Sequence, residues 1–252
     1  MEYKNGPLSP EQLAQYERDG FLVVHGLLSD EEVDRFVAYE QEAKPAGWRQ
    51  DLLHHKSDPE WHYLATHPNV AGGIAQIVGG RPMIVQTMYL EKKPAGDHEV
   101  GGSGVALHQD LHYLPCEPAT LTACWLALGD TDAENGGLCV VPGSHKRGLY
   151  RTHKNQNADE HDAWEMDYPM RDRNGREWVE KMYSFEIEDI RPEEIVRLTV
   201  PKGGGVFFDG HTIHGSYGNR SKVRYRRAWA VHYLKEGSWM NRCDVQDVMP
   251  AL

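Results

Sequence analysis

MIVQTMYLE (83–91), GVALHQDLHYL (104–114), LTACWLALG (121–129), LCVVPG (138–143), IVRLTV (195–200), GVFFDG (205–210) and RRAWAVHYL (226–234) are the runs that decide the fold. Each is short, apolar or alternating, and bounded by Gly, Pro, Asn or Asp, which marks strands between turns. Their number and spacing from Pro82 onward predict a mainly β molecule, a sandwich or barrel of antiparallel strands.

Upstream of these runs the signals turn helical. Ser9-Pro10-Glu11-Gln12 supplies an N-cap, a first-turn proline and an N3 glutamine ahead of LAQYERDG, and Ser29-Asp30-Glu31-Glu32 repeats the capping-box logic ahead of VDRFVAYEQEA. FLVVHG between them reads as a short strand, and a further helix is expected over 69–78, ended by Gly79-Gly80. The economical architecture is one domain, 1–252, with a mostly helical part over 1–81 packed outside a β core over 82–235. The segment 150–191 breaks the rhythm: it is rich in charge, carries Trp164, Met166, Tyr168, Met170, Trp178 and Met182, and lacks strong strand character. Its length and aromatic content predict an ordered lid, with plain packing against the barrel wall as the alternative.

Composition narrows the function. The chain has 252 residues, 27 Lys+Arg against 38 Asp+Glu and a net charge of -11. That balance argues against nucleic acid or an anionic membrane as partner, yet permits a local basic pocket for a small anion. No run approaches the roughly 18 apolar residues of a membrane span, and MEYKNGPLSPEQL lacks the regions of a signal peptide, so a cytoplasmic protein is expected. Cys116, Cys124, Cys139 and Cys243 form no CxxC pair and read as reduced packing residues. Histidine, at 14, is the more informative count.

Three stretches can carry chemistry. In Leu107-His108-Gln109-Asp110-Leu111-His112-Tyr113, strand alternation would set His108, Asp110 and His112 on one face, where a buried imidazole and carboxylate are costly unless paired or metal-bound. GGGVFFDGHTIHGS (203–216) is an apolar strand opening into a turn with His211 and His214. One of these beside His108 and Asp110 would complete two imidazoles and a carboxylate, the open-faced ligand set of non-haem Fe(II) oxygenases. Structural zinc would close four ligands instead. In RYRRAWAVHY (224–233), alternation sets Arg226, Ala228 and Ala230 on one side, where an inward arginine suits a ligand carboxylate; Arg224 and Arg227 read as surface residues.

LHQDLHY, CWLALGDTDAENGGLCVVPGSHKRG and HGSYGNRSKVRYRRAWAVHY, in this order, resemble the phytanoyl-CoA dioxygenase family of Fe(II)/2-oxoglutarate-dependent oxygenases. The resemblance runs from LSPEQLAQYERDGFLVV to AVHY, except over 150–191. It implies a double-stranded β-helix, or jelly-roll, with iron in its mouth. His108, Asp110 and His214 match the family's metal ligands, with His211 as rival for the third; Ser216 and Arg226, or a neighbouring arginine, match the anchor of the 2-oxoglutarate C5 carboxylate. Gln86, Met88 and Trp125 resemble positions lining the co-substrate pocket, and His112 and Tyr113 the substrate side. The implied reaction hydroxylates an aliphatic carbon of a small molecule with dioxygen, as 2-oxoglutarate is decarboxylated to succinate. Asp110 favours hydroxylation over halogenation, since related halogenases carry a small residue there. A zinc hydrolase on the same ligands and a catalytically silent small-molecule binder are the alternatives. The C-terminal MPAL is not SKL, which disfavours a peroxisomal acyl-CoA role. Lys92, Lys93, Arg151 and Lys154 could contact an anionic group but read first as solvated charge, and His145, His232 and His54-His55 as structural or surface residues.

Overall fold

A computed structural model describes residues 6–43, 52–156 and 161–252. Its helices are α1 (Pro10–Asp19), α2 (Asp30–Ala43), α3 (Pro59–Thr66) and α4 (Pro68–Val78). Both capping boxes form: Gln12 N–H donates to Ser9 Oγ and Ser9 N–H to Gln12 Oε1, and the Ser29/Glu32 pair repeats this. Helix α3 was not expected from the sequence; Asp58 caps it by accepting from the Glu60 and Trp61 amides.

The strands are β1 (Phe21–Val24), β2 (Pro82–Lys92), β3 (Val105–His108), β4 (Cys116–Glu117), β5 (Thr122–Ala127), β6 (Leu138–Val140), β7 (Thr152–Lys154) and β8 (Glu165–Arg171). They continue as β9 (Glu177–Tyr183), β10 (Phe185–Ile187), β11 (Val196–Arg197), β12 (Gly205–Asp209), β13 (His214–Ser216), β14 (Arg226–Lys235), β15 (Trp239–Met240) and β16 (Met249–Pro250). A six-stranded antiparallel sheet, β1-β12-β5-β14-β2-β16, faces a four-stranded one, β11-β6-β13-β3.

Period-2 alternation sorts the large sheet into two faces. Leu22, Cys124, Leu126, Phe207, Trp229, Val231 and Tyr233 pack against Phe36, Trp61, Leu64, Val70 and Ile74 of the helices. Ala123, Trp125, Ala127, Val206, Phe208, Ala228 and Ala230 turn the other way, toward Leu138 and Val140 of the small sheet. Four alanines on this inner face keep the space between the sheets from filling with side chains. Across β2 and β14 the inward positions pair as Lys92↔Arg226, Leu90↔Ala228, Met88↔Ala230 and Gln86↔His232. A bulge beyond His232 sends Ile84 to the helix side although Gln86 points inward.

The segment 150–191 is β-structured, contrary to expectation. β7 pairs with β10, and β8 with β9 in a hairpin. The charged alternation of EMDYPMR and EWVEKMY hid these strands, since both sides of the hairpin carry polar residues. Residues 157–160 of the segment lie outside the described residues.

Candidate active site

β3 and β13 are neighbours in the small sheet, with His108 opposite His214 and their rings 4.3 Å apart between centroids. The chain leaves the strand at His108 and turns through a short 3-10 segment, Asp110–His112. Buried Gln109 holds that turn, donating to Gly148 O and His211 O and accepting from Tyr150 N–H. The turn carries Asp110 back beside the two imidazoles, so that ligand atoms of His108, Asp110 and His214 lie within 4.8 Å of one another. The expected alternation of His108, Asp110 and His112 therefore does not hold. Because the strand ends first, His112 leaves the cluster: its Nε2 lies 3.1 Å from Tyr150 O and its ring packs on Phe185. His211 also stays apart, its Nδ1 3.0 Å from Asp209 Oδ1.

The donor chemistry fits a divalent cation. His108 Nδ1 sits 2.8 Å from Ala106 O and His214 Nδ1 3.0 Å from Thr212 O; a carbonyl only accepts, so each Nδ1 carries a hydrogen, which leaves each Nε2 as the atom that could offer a lone pair to a metal. Those Nε2 atoms face Asp110 Oδ1 at 3.5 and 3.6 Å. Burial pulls His214 down to about 4, keeping it neutral at physiological pH. Burial alone would raise the Asp110 carboxyl, but the imidazoles around it, His214, His232 and His108, hold it well below the usual carboxylate range. Two imidazoles and one carboxylate could hold iron and leave positions for other ligands.

A second charged group lies between the sheets. Arg226 is 4% exposed and donates to Gly136 O and Leu90 O, with its guanidinium 5.9 Å from the Trp125 ring. Beside it Lys92, 5% exposed, donates to Ser216 Oγ at 2.8 Å and Tyr217 O at 2.6 Å. Lys92 is thus buried, and its reading as solvated charge is corrected. Burial, then the nearby Arg226 charge, pushes its ammonium well below the ordinary lysine range. Neither cation makes an ion pair with a carboxylate among the described residues; Asp162 is the acid whose charge reaches both. The neighbouring arginines are committed elsewhere, Arg227 to Glu91 at 2.8 Å and Arg224 to Asp132 at 2.9 Å. Among the three, only Arg226 is fully buried on the inner face.

Around this cluster, Tyr113 stacks near His108, Trp164 and Phe185, with centroids 5.5, 5.6 and 4.9 Å away, and its hydroxyl accepts from Phe185 N–H. The segment 150–191 thereby contributes Trp164 and Phe185 to one aromatic wall with Tyr113. Met88 is half-buried against the inner apolar cluster, as Trp125 is fully. The Gln86 amide meets His232 and Arg242.

Comparison with known proteins places this geometry. The phytanoyl-CoA dioxygenase (PhyH) family model matches residues 16–228. The peroxisomal phytanoyl-CoA dioxygenase of Rattus norvegicus is 32% identical over 91% of this chain and 69% of its own. The chain belongs to the phytanoyl-CoA dioxygenase family. As a member it is a non-haem iron, 2-oxoglutarate-dependent oxygenase. Two solved structures share the jelly-roll fold. The epimerase SnoN in complex with Fe3+, alpha ketoglutarate and nogalamycin RO superposes with TM-score 0.69 at 21% identity, covering 91% of this chain and 84% of its own. The carbocyclase SnoK from nogalamycin biosynthesis does so with TM-score 0.68 at 23% identity, covering 95% and 88%.

Within this family member, sequence reasoning passed over three site residues. Lys92 was detectable, since it continues the inward series Gln86, Met88, Leu90 at every second position; so was His232, which continues Arg226, Ala228, Ala230. His232 is buried with Nε2 3.0 Å from Asp110 Oδ2, so of its two readings, structural or surface, the surface one falls. Arg242 follows β15 in an irregular stretch, where no periodic signal exists. His145, His54 and His55 stay structural: they meet Glu17 O, Asp58 and Thr87 Oγ1 respectively. No helix among the described residues is long and apolar enough to cross a membrane.

Proposed function

We propose that the chain hydroxylates an aliphatic carbon of a small-molecule substrate, with His108, Asp110 and His214 holding Fe(II), and Arg226, Ser216 and Lys92 holding the far carboxylate of 2-oxoglutarate. The carrying observation is that a two-imidazole, one-carboxylate cluster shares an inter-sheet space with two buried cations that lack a carboxylate partner among the described residues. When bound, the iron supplies the redox chemistry: with dioxygen, 2-oxoglutarate becomes succinate and carbon dioxide, and the substrate gains a hydroxyl group.

The residues of the chain bind, orient and exclude water. Arg226 stays charged, since burial lowers it only to about 10. Ser216 Oγ accepts from Lys92 and so turns its own hydrogen toward an incoming anion. Trp125 walls the pocket and stiffens the guanidinium by stacking. Ala123, Ala127, Ala228 and Ala230 leave the volume that the co-substrate needs. The aromatic wall of Tyr113, Trp164 and Phe185, with His112 behind it, borders the substrate side and makes segment 150–191 a cover that keeps water from the reacting carbon.

An anaerobic titration of metal-free protein with Fe(II) and then 2-oxoglutarate tests this. A visible charge-transfer band appearing only with both, and weakened in Arg226→Ala, is the expected result. Metal binding with no band on adding 2-oxoglutarate would overturn it in favour of a hydrolase or a silent binder.

A further inference from the structure

Asp110 has two carboxylate oxygens, and the structure treats them differently. Oδ1 faces the Nε2 atoms of His108 and His214, whereas Oδ2 is 3.0 Å from His232 Nε2. Behind His232 runs a continuous chain of contacts. His232 Nδ1 is 3.4 Å from Gln86 Nε2, Gln86 Oε1 is 3.4 Å from Arg242 Nη2, and Arg242 is clamped by Asp244 through Nε at 2.7 Å and Nη2 at 3.0 Å.

The chemistry of the two ends fixes every hydrogen between them. A guanidinium has only donors, so the Gln86 atom facing Arg242 must be its carbonyl oxygen. That turns the Gln86 NH2 toward His232, and an amide nitrogen only donates, so Nδ1 must accept. The single hydrogen of the neutral ring then sits on Nε2 and points at Asp110 Oδ2, an acceptor. Reversing any link would set two donors or two lone pairs against each other inside a buried site, where an unmade hydrogen bond is costly. His232 is 3% exposed with both ring nitrogens engaged, and it stands opposite Gln86 in the β2/β14 register, so backbone pairing holds the two at this level.

The outer end is tied to the cover. The Arg242 guanidinium lies 4.5 Å from the centre of the Tyr168 ring on β8, Met170 makes a backbone bridge to Arg242, and Arg171 N–H donates to Asn241 O. One residue therefore touches both the hairpin and the relay.

We propose that Arg242, Gln86 and His232 are positioning residues, a one-way hydrogen-bond relay that occupies Asp110 Oδ2 and commits the carboxylate to the metal through Oδ1. The proposal rests on the metal site argued above. Single-oxygen coordination frees a position that a two-oxygen carboxylate would take, and it couples metal affinity to the seating of the β8–β9 hairpin. Residues behind a metal ligand typically change metal affinity by about 10–100-fold when replaced.

The test uses the full-length metal-free chain and Mn(II) alone as probe. His232→Leu should weaken Mn(II) binding about 10–100-fold. His232→Gln, which restores a donor, should recover most of the loss. In long-range 1H–15N spectra of metal-free wild type, His232 should show one neutral tautomer with the hydrogen on Nε2. Gln86→Met should abolish that single-tautomer signature and weaken Mn(II) binding while the chain stays folded. Asp110→Ala separates the two levels of the reading. If it binds Mn(II) as tightly as wild type, the metal site is misassigned and the relay falls with it. If Asp110→Ala loses the metal but His232→Leu binds it like wild type, the metal site stands and the relay is overturned, as it is by a His232 tautomer with the hydrogen on Nδ1.

Discussion

Lys92→Met separates a co-substrate anchor from a packing residue, because the two roles move stability in opposite directions. Lys92 Nζ sits 2.8 Å from Ser216 Oγ in the same buried cluster as Arg226. A hydrogen bond to a charged group contributes about 1.5–3 kcal/mol, so losing the one to the carboxylate should raise the KM for 2-oxoglutarate roughly 10- to 150-fold, with kcat at saturation little changed. In ligand-free protein the same ammonium is a cost: burial and Arg226 depress its pKa. The unfolded chain holds that proton more readily, so wild-type stability rises as pH climbs from the depressed folded value toward the ordinary lysine value near 10.5. Below that window the penalty is fully present, and methionine, of similar length, removes it. Thermal melts at pH 7 should therefore show a ligand-free Lys92→Met no less stable than wild type. The stabilisation by saturating 2-oxoglutarate should shrink by about 1.5–3 kcal/mol, roughly 3–12 °C in Tm. A variant that melts several degrees lower without ligand, yet keeps the wild-type KM, would show that Lys92 merely pegs Ser216 and Tyr217 in place.

Four other outcomes follow from the structure. Arg226→Met should raise the KM for 2-oxoglutarate at least as far as Lys92→Met. Arg227→Met should leave KM alone but lower stability in a denaturant titration by up to about 3 kcal/mol, since it leaves the Glu91 side chain, only 2% exposed, with the Tyr89 hydroxyl as its remaining partner among the described residues. Asp110→Ala should abolish succinate production in a coupled-product assay; retention of most activity would refute the ligand assignment. In the helical part, Tyr63 and then the Ser29 amide hold Glu32 down to about 2, so Glu32→Gln should destabilise the protein by about 1.5–3 kcal/mol at pH 7. That contribution is present above the ordinary glutamate value and fades as pH falls toward about 2, where melts of the two proteins should converge.

Much of this site was legible where local chemistry and strand period agree. Capping residues announced α1 and α2, and inward Arg226, Ala228 and Ala230 followed from alternation alone. Reading failed where tertiary contacts override local pattern. Nothing near 108–112 says that the strand stops at His108, because the residue that stops it, Gln109, bonds to Gly148, Tyr150 and His211 far along the chain. Charge on both faces of β8 and β9 concealed a hairpin, and the partner that makes Arg242 part of the site, Gln86, lies more than 150 positions away. Lys92 was hidden differently: its neighbours Lys93 and Glu91 suggest surface, and only register with Arg226 reveals an inward cation.

The pairing of β2 with β14 also bears on how such a protein can change. Its inward pairs run from two cations, through small and apolar residues, to an amide and an imidazole beside Asp110. Register in an antiparallel pair cannot slip by one residue without turning every side chain to the opposite face. Loss or gain of a residue in either strand would thus disturb the proposed carboxylate anchor and the proposed support of Asp110 together. Heritable variation in this ladder is confined to substitution, while length changes can accumulate in 150–191, whose described residues meet Arg242 and the aromatic wall. Grafting that segment between relatives is therefore the route by which one oxidising centre could be redirected to a new molecule.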